Sequence, residues 1–439
     1  MFWIHGGGYT GGSSSDTTFD GGNMVSRGDV VLVALNYRLG NLGFLALDDG
    51  KTRGNYGLAD TILGLEWVKE HIKDFGGDPD NITIFGQSAG AGTVRAMMAS
   101  PKAKGLFKQA ILMSNLGGYG YGKPYSKYYS IEEEMEVVGQ AVLDESGCED
   151  VRCLREMTAS EISTLSSTGR YLVVDGEYLT SDHLEIDGEA LGINLMMGIA
   201  AEDGSPFLTY RPGNATDAKT LLASQGLPYP SKIVFPEYEF DNETLAQDWI
   251  GARLATDAVF RCIDQATAHG LLQTGRLPRI YYYEFDRTYQ TPGWPKSSLC
   301  EPEGRPDGNP DAGPYMRCHS GELLYVFGNI LREGLPLRDE IDIQFERMVL
   351  DLFASFARSG NPNADQGYLS ARGFDGTSKL LAMAGAWEPA VKGGEKLMAL
   401  DWPETDGKAG GGMMEGFRDV EQCEVLDVGL EYYLREASR

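Results

Sequence analysis

Gly86-Gln87-Ser88-Ala89-Gly90 sets a serine between two glycines, a spacing that presents a nucleophilic hydroxyl on a sharp strand-to-helix turn. The glycines remove Cβ atoms that would collide in such a turn. A helix starting after Ser88 aims its free amides and its dipole at negative charge developing beside the serine Oγ. His5-Gly6-Gly7-Gly8 is the complementary signal. Acyl transfer needs preorganised N–H donors around a tetrahedral oxyanion, and glycines let the backbone approach unobstructed. Gly7, Gly8 and the N–H of Ala89 are the candidate donors. Read alone, the first motif is also a tight turn with an incidental serine; beside the Gly-rich loop that bland reading fits poorly.

A serine nucleophile needs a base and an orienting acid, and the chain has five histidines. On an elbow of this kind the chain order is Ser, acid, His. His5 and His71 come too early, His183 precedes the best acid candidates, and His269 falls near a predicted helix end. His319 is left as the base. The predicted strand Asn194–Ala200 runs into Ala201-Glu202-Asp203-Gly204, and spacing alone leaves both Glu202 and Asp203 open as the acid. Other signals fail. Gly118-Tyr-Gly120-Tyr-Gly122 lacks the third glycine of a dinucleotide fingerprint, and Asp307–Asp311 begins like a calcium loop but has Ala312 and Cys318 where Gly and Glu are needed. With no Cys-x-x-Cys or His-Glu-x-x-His, neither a metal nor a cofactor is expected.

The elements that must position these residues alternate in type. Val30–Asn36 is an uninterrupted apolar run that predicts a strand buried on both faces. Ile62, Leu65, Trp67, Val68 and Ile72 recur at helical spacing within 56–75, and Gly76-Gly77-Asp78-Pro79 ends that helix. Ile82–Gly86, Gln109–Ser114 and Arg279–Phe285 read as further strands, with a helix over 89–100. Strand–helix–strand repetition predicts an α/β fold with a mostly parallel sheet. Helical insertions are expected over about 119–181 and 212–269, a long ordered loop over 291–317, and a helix over 339–359. The stretch 360–412 has little usable period, and a last amphipathic helix is predicted over about 420–435.

The 439 residues carry 38 basic and 64 acidic side chains, a formal charge of −26, with 42% apolar and 10% aromatic residues. Disorder is excluded by that apolar content. A phosphate backbone or an anionic membrane would be repelled, so nucleic acid is not an expected partner. No apolar run approaches the ~18 residues of a membrane span. Met1 leads directly into Phe-Trp-Ile-His-Gly-Gly-Gly, with no basic and apolar leader; the chain reads as opening in mid-fold. Three sequons, at Asn81, Asn214 and Asn242, lean towards a secreted glycoprotein; Asn81 precedes a predicted buried strand, so the latter two are the usable ones.

FWIHGGGYTGG at 2–12, NYRLGNLGF at 36–44, GNYGLAD at 54–60, FGGDPDNITIFGQSAG at 75–90, VVDGEYL at 173–179 and CHSGELLYVFGN at 318–329 together resemble the type-B carboxylesterases. These are the cholinesterase- and fungal-lipase-like α/β-hydrolases, and the resemblance is collinear to about Tyr433. It implies an ester hydrolase acting on a small-molecule carboxylic ester. By that resemblance Ser88 is the nucleophile, His319 the base and Gly7, Gly8 and Ala89 the oxyanion hole. The acid is Asp203, immediately before the glycine of the family motif, and Ser114 is a buried serine supporting it. The resemblance also implies disulfides Cys148–Cys153, Cys262–Cys423 and Cys300–Cys318, the last bracing the loop that carries His319. It further implies one α/β-hydrolase domain over 1–439 lacking its N-terminal strands, which would leave the 30–36 strand as an exposed edge. Gln87 stands where cholinesterases have Glu, so choline esters are not implied. The rival reading is a non-catalytic, neuroligin-like adhesion protein, or a truncated inactive product.

Overall fold

A computed structural model describes residues 1–119, 126–210, 217–235, 243–290, 299–300, 315–339, 341–402, 404–405, 408–409 and 411–437. Asn214, Asn242 and 301–314, including the calcium-like run at 307–311, lie outside the described residues, as does most of the loop expected over 291–317. The chain divides into two compact units. The first comprises Met1–Ser14, Val33–Gly117 and Tyr121–Glu185; the second comprises Ser15–Leu32, Gly118–Gly120 and Ile186–Arg439.

In the first unit four parallel strands, β1 (Phe2–Ile4), β2 (Val33–Ala34), β3 (Thr83–Gln87) and β4 (Gln109–Met113), lie in the order β4-β3-β1-β2. Phe2 pairs with both Val33 and Ile84, and Ile84 with Ala110. Every residue of β1, β3 and β4 is buried, as parallel strands covered on both faces must be. The helix Tyr56–His71 buries Leu58, Ile62, Leu65 and Val68, then tightens into a 3-10 turn over Ile72–Phe75 that ends at Gly76 with φ 81°. The expectation of a doubly buried strand over 30–36 does not hold: β2 is only Val33–Ala34, half-buried and exposed. It is the last strand in the order, so one of its flanks gains no ladder to extend pairing along the apolar run. Short helices between Ile131 and Ser163 pack Val138, Val142, Leu143 and Leu154 against Leu45 and Leu47. The Cys148–Cys153 disulfide lies within this cluster.

In the second unit β5 (Asn194–Ala200), β6 (Ile280–Phe285) and β7 (Lys396–Leu400) run parallel, and the strand Gly412–Glu415 pairs antiparallel with β7. A helix from Glu243 continues through a π turn at Asp257–Arg261 into Cys262–Gln273, and is buried from Leu254 through Leu272. The stretch that lacked a readable period holds the helices Gln366–Ala371 and Asp375–Ala384 as well as β7. Elements of five to ten residues are too short to show a period against loop residues. The predicted C-terminal helix is two, Val420–Val425 and Tyr432–Ala437, separated where Asp427 takes φ 61°. A disulfide joins Cys262 to Cys423.

Candidate active site

The first unit carries the serine. Ser88 stands between β3 and the helix Ala89–Ala99 with φ 58° and ψ −124°, a region that non-glycine residues occupy only when their surroundings hold them there. Its N–H donates to Met113 O at 2.9 Å, and its carbonyl accepts from Gly92 N–H at 3.0 Å. A Cβ on Gly86 would lie 2.5 Å from the Gly90 carbonyl, and one on Gly90 would strike Ile4 O. The turn passes beneath β1 too closely for either position to carry a side chain. A Cβ on Gly6 would sit 2.8 Å from Gln87 O and 3.0 Å from Ser88 Cβ, so the loop after β1 lies against the elbow. Gly7 and Gly8 both have positive φ, 111° and 61°. Tyr37 anchors this loop, its hydroxyl donating to His5 O at 2.7 Å and its ring stacked on His5 at 4.5 Å. Ala89 opens the helix, where backbone N–H groups have no intrahelical acceptor. A recess of about 420 Å³, lined by Tyr9, Gly92, Arg95, Asn115, Tyr128 and Tyr171 among others, opens one helical turn beyond Ser88. Ser114, after β4, is fully buried with φ 52°.

The second unit carries Asp203 and His319. Asp203 closes a tight turn at the end of β5: its N–H donates to Ala200 O at 3.2 Å, and its Oδ2 accepts from Ala200 N–H at 2.9 Å. Gly204 N–H donates to Thr256 Oγ1 at 2.9 Å, and a Cβ there would strike the Ala255–Thr256 backbone. Asp203 Oδ1 lies 2.5 Å from His319 Nδ1, and both residues are buried. The imidazole is packed by Phe207 and Phe260, with ring centroids at 5.2 and 5.0 Å. Cys318, directly before it, is bonded to Cys300.

Glu202 turns elsewhere. Its carboxylate accepts from the Arg317 backbone N–H at 2.9 Å and from Arg317 Nη2 at 3.1 Å, and the guanidinium Nε lies 2.9 Å away as an ion pair. Burial pushes its carboxyl up, against the opposing pull of Arg317. The remaining histidines have other surroundings. His5 packs on Tyr37 with Nδ1 2.8 Å from Gly6 O, His71 is half-buried beside Glu70, and His183 meets Asp182 at 2.6 Å. His269 bridges Glu395 and Glu431, each at 2.9 Å.

Sequence reasoning passed over Arg317 and Thr256, which hold the two ends of the acidic turn and carry no motif of their own. It also passed over Glu322, a buried acid in the apolar run after His319; that mismatch of charge and setting is a readable signal. Among the described residues no group of three or more His, Cys, Asp or Glu could hold a metal ion, and no helix is long and apolar enough to cross a membrane.

The family model for the carboxylesterase family matches residues 1–409. A bile salt-activated lipase from Bos taurus is 29% identical over 396 residues, covering 83% of this chain and 63% of that protein. A pyrethroid hydrolase, Ces2e, from Rattus norvegicus is 31% identical over 389 residues, covering 83% and 64%. The chain therefore spans a little under two thirds of the length of these relatives. A solved structure of PNB esterase superposes with a TM-score of 0.68 over 97% of this chain and 79% of its own, at 23% identity. That likeness shows a shared α/β-hydrolase fold.

Proposed function

The chain belongs to the carboxylesterase family, and on that premise we propose that it is a serine hydrolase cleaving carboxylic esters through an acyl-enzyme. Ser88 Oγ attacks the ester carbonyl carbon as His319 Nε2 takes its proton, and the carbonyl oxygen becomes an oxyanion received by the N–H groups of Gly7, Gly8 and Ala89. The intermediate collapses, the alcohol leaves with the proton from His319, and water, deprotonated in turn by His319, releases the acid. Asp203 stays ionised, fixes the ring with its proton on Nδ1 and stabilises the imidazolium. Ser114 is read as a buried support of that acid.

The observation that carries this reading is the backbone of Ser88, a serine held at φ 58° on a turn whose neighbours Gly86 and Gly90 have no room for a side chain. Strain of this kind persists where a fold is built around it. Ser88→Ala is expected to abolish hydrolysis of short p-nitrophenyl esters and labelling by a fluorophosphonate probe. Retention of most of either would refute the assignment. The probe also separates this reading from a non-catalytic adhesion protein, because it reacts only with an activated serine.

The substrate class proposed is a small-molecule carboxylic ester, and the match of the family model across both units supports one hydrolase domain. We further propose that the protein works in an oxidising, extracellular setting. All six cysteines are paired, a usage typical of secreted proteins.

A further inference from the structure

One acidic side chain beside the proposed triad has no part in the steps above. Glu322 follows His319 by three residues and caps the helix Leu323–Phe327. It is 1% exposed, and among the described residues neither carboxylate oxygen has a hydrogen-bond partner. The turn that joins it to His319 is closed by Gly321 N–H to Cys318 O at 3.0 Å and Leu323 N–H to Ser320 O at 3.2 Å, with Ser320 at φ 69°. The two side chains therefore leave one rigid turn.

The groups that face Glu322 do not welcome a negative charge. Asp203, after β5, is within electrostatic reach of it. Tyr283, on β6, lies across Gly198, where a Cβ would be 2.5 Å from the ring, and its buried hydroxyl has no hydrogen-bond partner among the described residues. The Tyr283 phenol is pushed well up, first by burial and then by the charges of Glu322, Asp264 and Asp203. Thr288 fills the space beside Gly321. A carboxylate enclosed without donors is strongly disfavoured, and more so beside a second one. Burial, and after it the charge on Asp203, lift the Glu322 carboxyl to about 8.

We propose that Glu322 is a positioning residue for the Asp203–His319 pair, carried as the neutral acid in the working enzyme, and that its ionisation unseats the turn presenting His319. This rests on the triad reading above. While Glu322 is neutral, it adds no second charge beside the Asp203–His319 contact. Once Glu322 loses its proton to solvent, the carboxylate needs water, and its route to water is movement of its own turn. The base moves with it.

Two measurements test this on the full chain. For a short p-nitrophenyl ester, wild-type kcat/KM is expected to fall about thirtyfold between pH 7 and pH 9.5, as one ionisation near pH 8 requires. In Glu322→Gln and in Glu322→Leu, neutral at every pH, the fall should shrink below about threefold with KM unchanged. The low-field proton resonance of the imidazole N–H bonded to Asp203 should fade over the same range in wild type and persist in whichever variant folds. A wild-type profile flat to pH 9.5, a resonance that does not fade, or neutral variants that keep the wild-type decline would each overturn the proposal. Loss of all Ser88-dependent hydrolysis at pH 7 would instead remove the triad reading, leaving the resonance to decide the state of Glu322.

Discussion

Glu202 and Asp203 are adjacent, both buried, and turned to different partners: Arg317 for the first, His319 for the second. Their substitutions should separate accordingly. Asp203→Asn is expected to lower kcat by a factor on the order of 10⁴, since the ring loses the acceptor that fixes its tautomer. Glu202→Gln should leave kcat within about tenfold but lower stability by about 1–3 kcal/mol, because Arg317 loses its counter-charge. Turnover of a p-nitrophenyl ester and the Tm of each variant check this, and the reverse pattern would move the acid to Glu202. Spacing along the chain makes the elbow glycines and the Gly-rich loop legible, because their reasons are local: a Cβ has nowhere to go. The direction of each carboxylate is not legible. It depends on Arg317, which lies 115 residues further on in sequence, and on Thr256 in the middle of a helix.

Among the helices, Ile131–Glu134 shows how one turn can carry a conflict. Ser130 and Glu133 cap its start reciprocally, while Glu134 points inward, fully buried, with neither oxygen hydrogen-bonded among the described residues. Burial pushes its carboxyl up to about 9. The folded chain therefore holds a proton that the unfolded chain releases near pH 4.5, so stability falls as pH rises from there towards 9. Glu134→Met should gain about 2–3 kcal/mol over wild type at pH 7 to 8 and very little at pH 5, by urea denaturation. An equal gain at both pH values would show that the change acts through packing alone. Elements with a strong period or a continuous apolar core, such as Tyr56–His71 and β5, are readable in the sequence with their bounds nearly right. β7 and the break at Asp427 are not, the one being too brief to show a period and the other a single left-handed residue inside an amphipathic pattern.

For the molecule as a whole, the α/β class is legible because alternation of strands and helices is a property of the entire chain. The two compact units are not, since the second takes Ser15–Leu32 from within the first third of the sequence. No shift in composition marks such a boundary. The formal charge of −26 helps keep the chain dispersed in water and says nothing about which ester fits. The bond between Cys262 and Cys423 spans 161 residues of the second unit. A protease that cuts once between those two cysteines would make two peptides that cannot part. On a denaturing gel the nicked protein should still migrate as a species near 47.9 kDa, and it should divide into two bands only after a thiol is added.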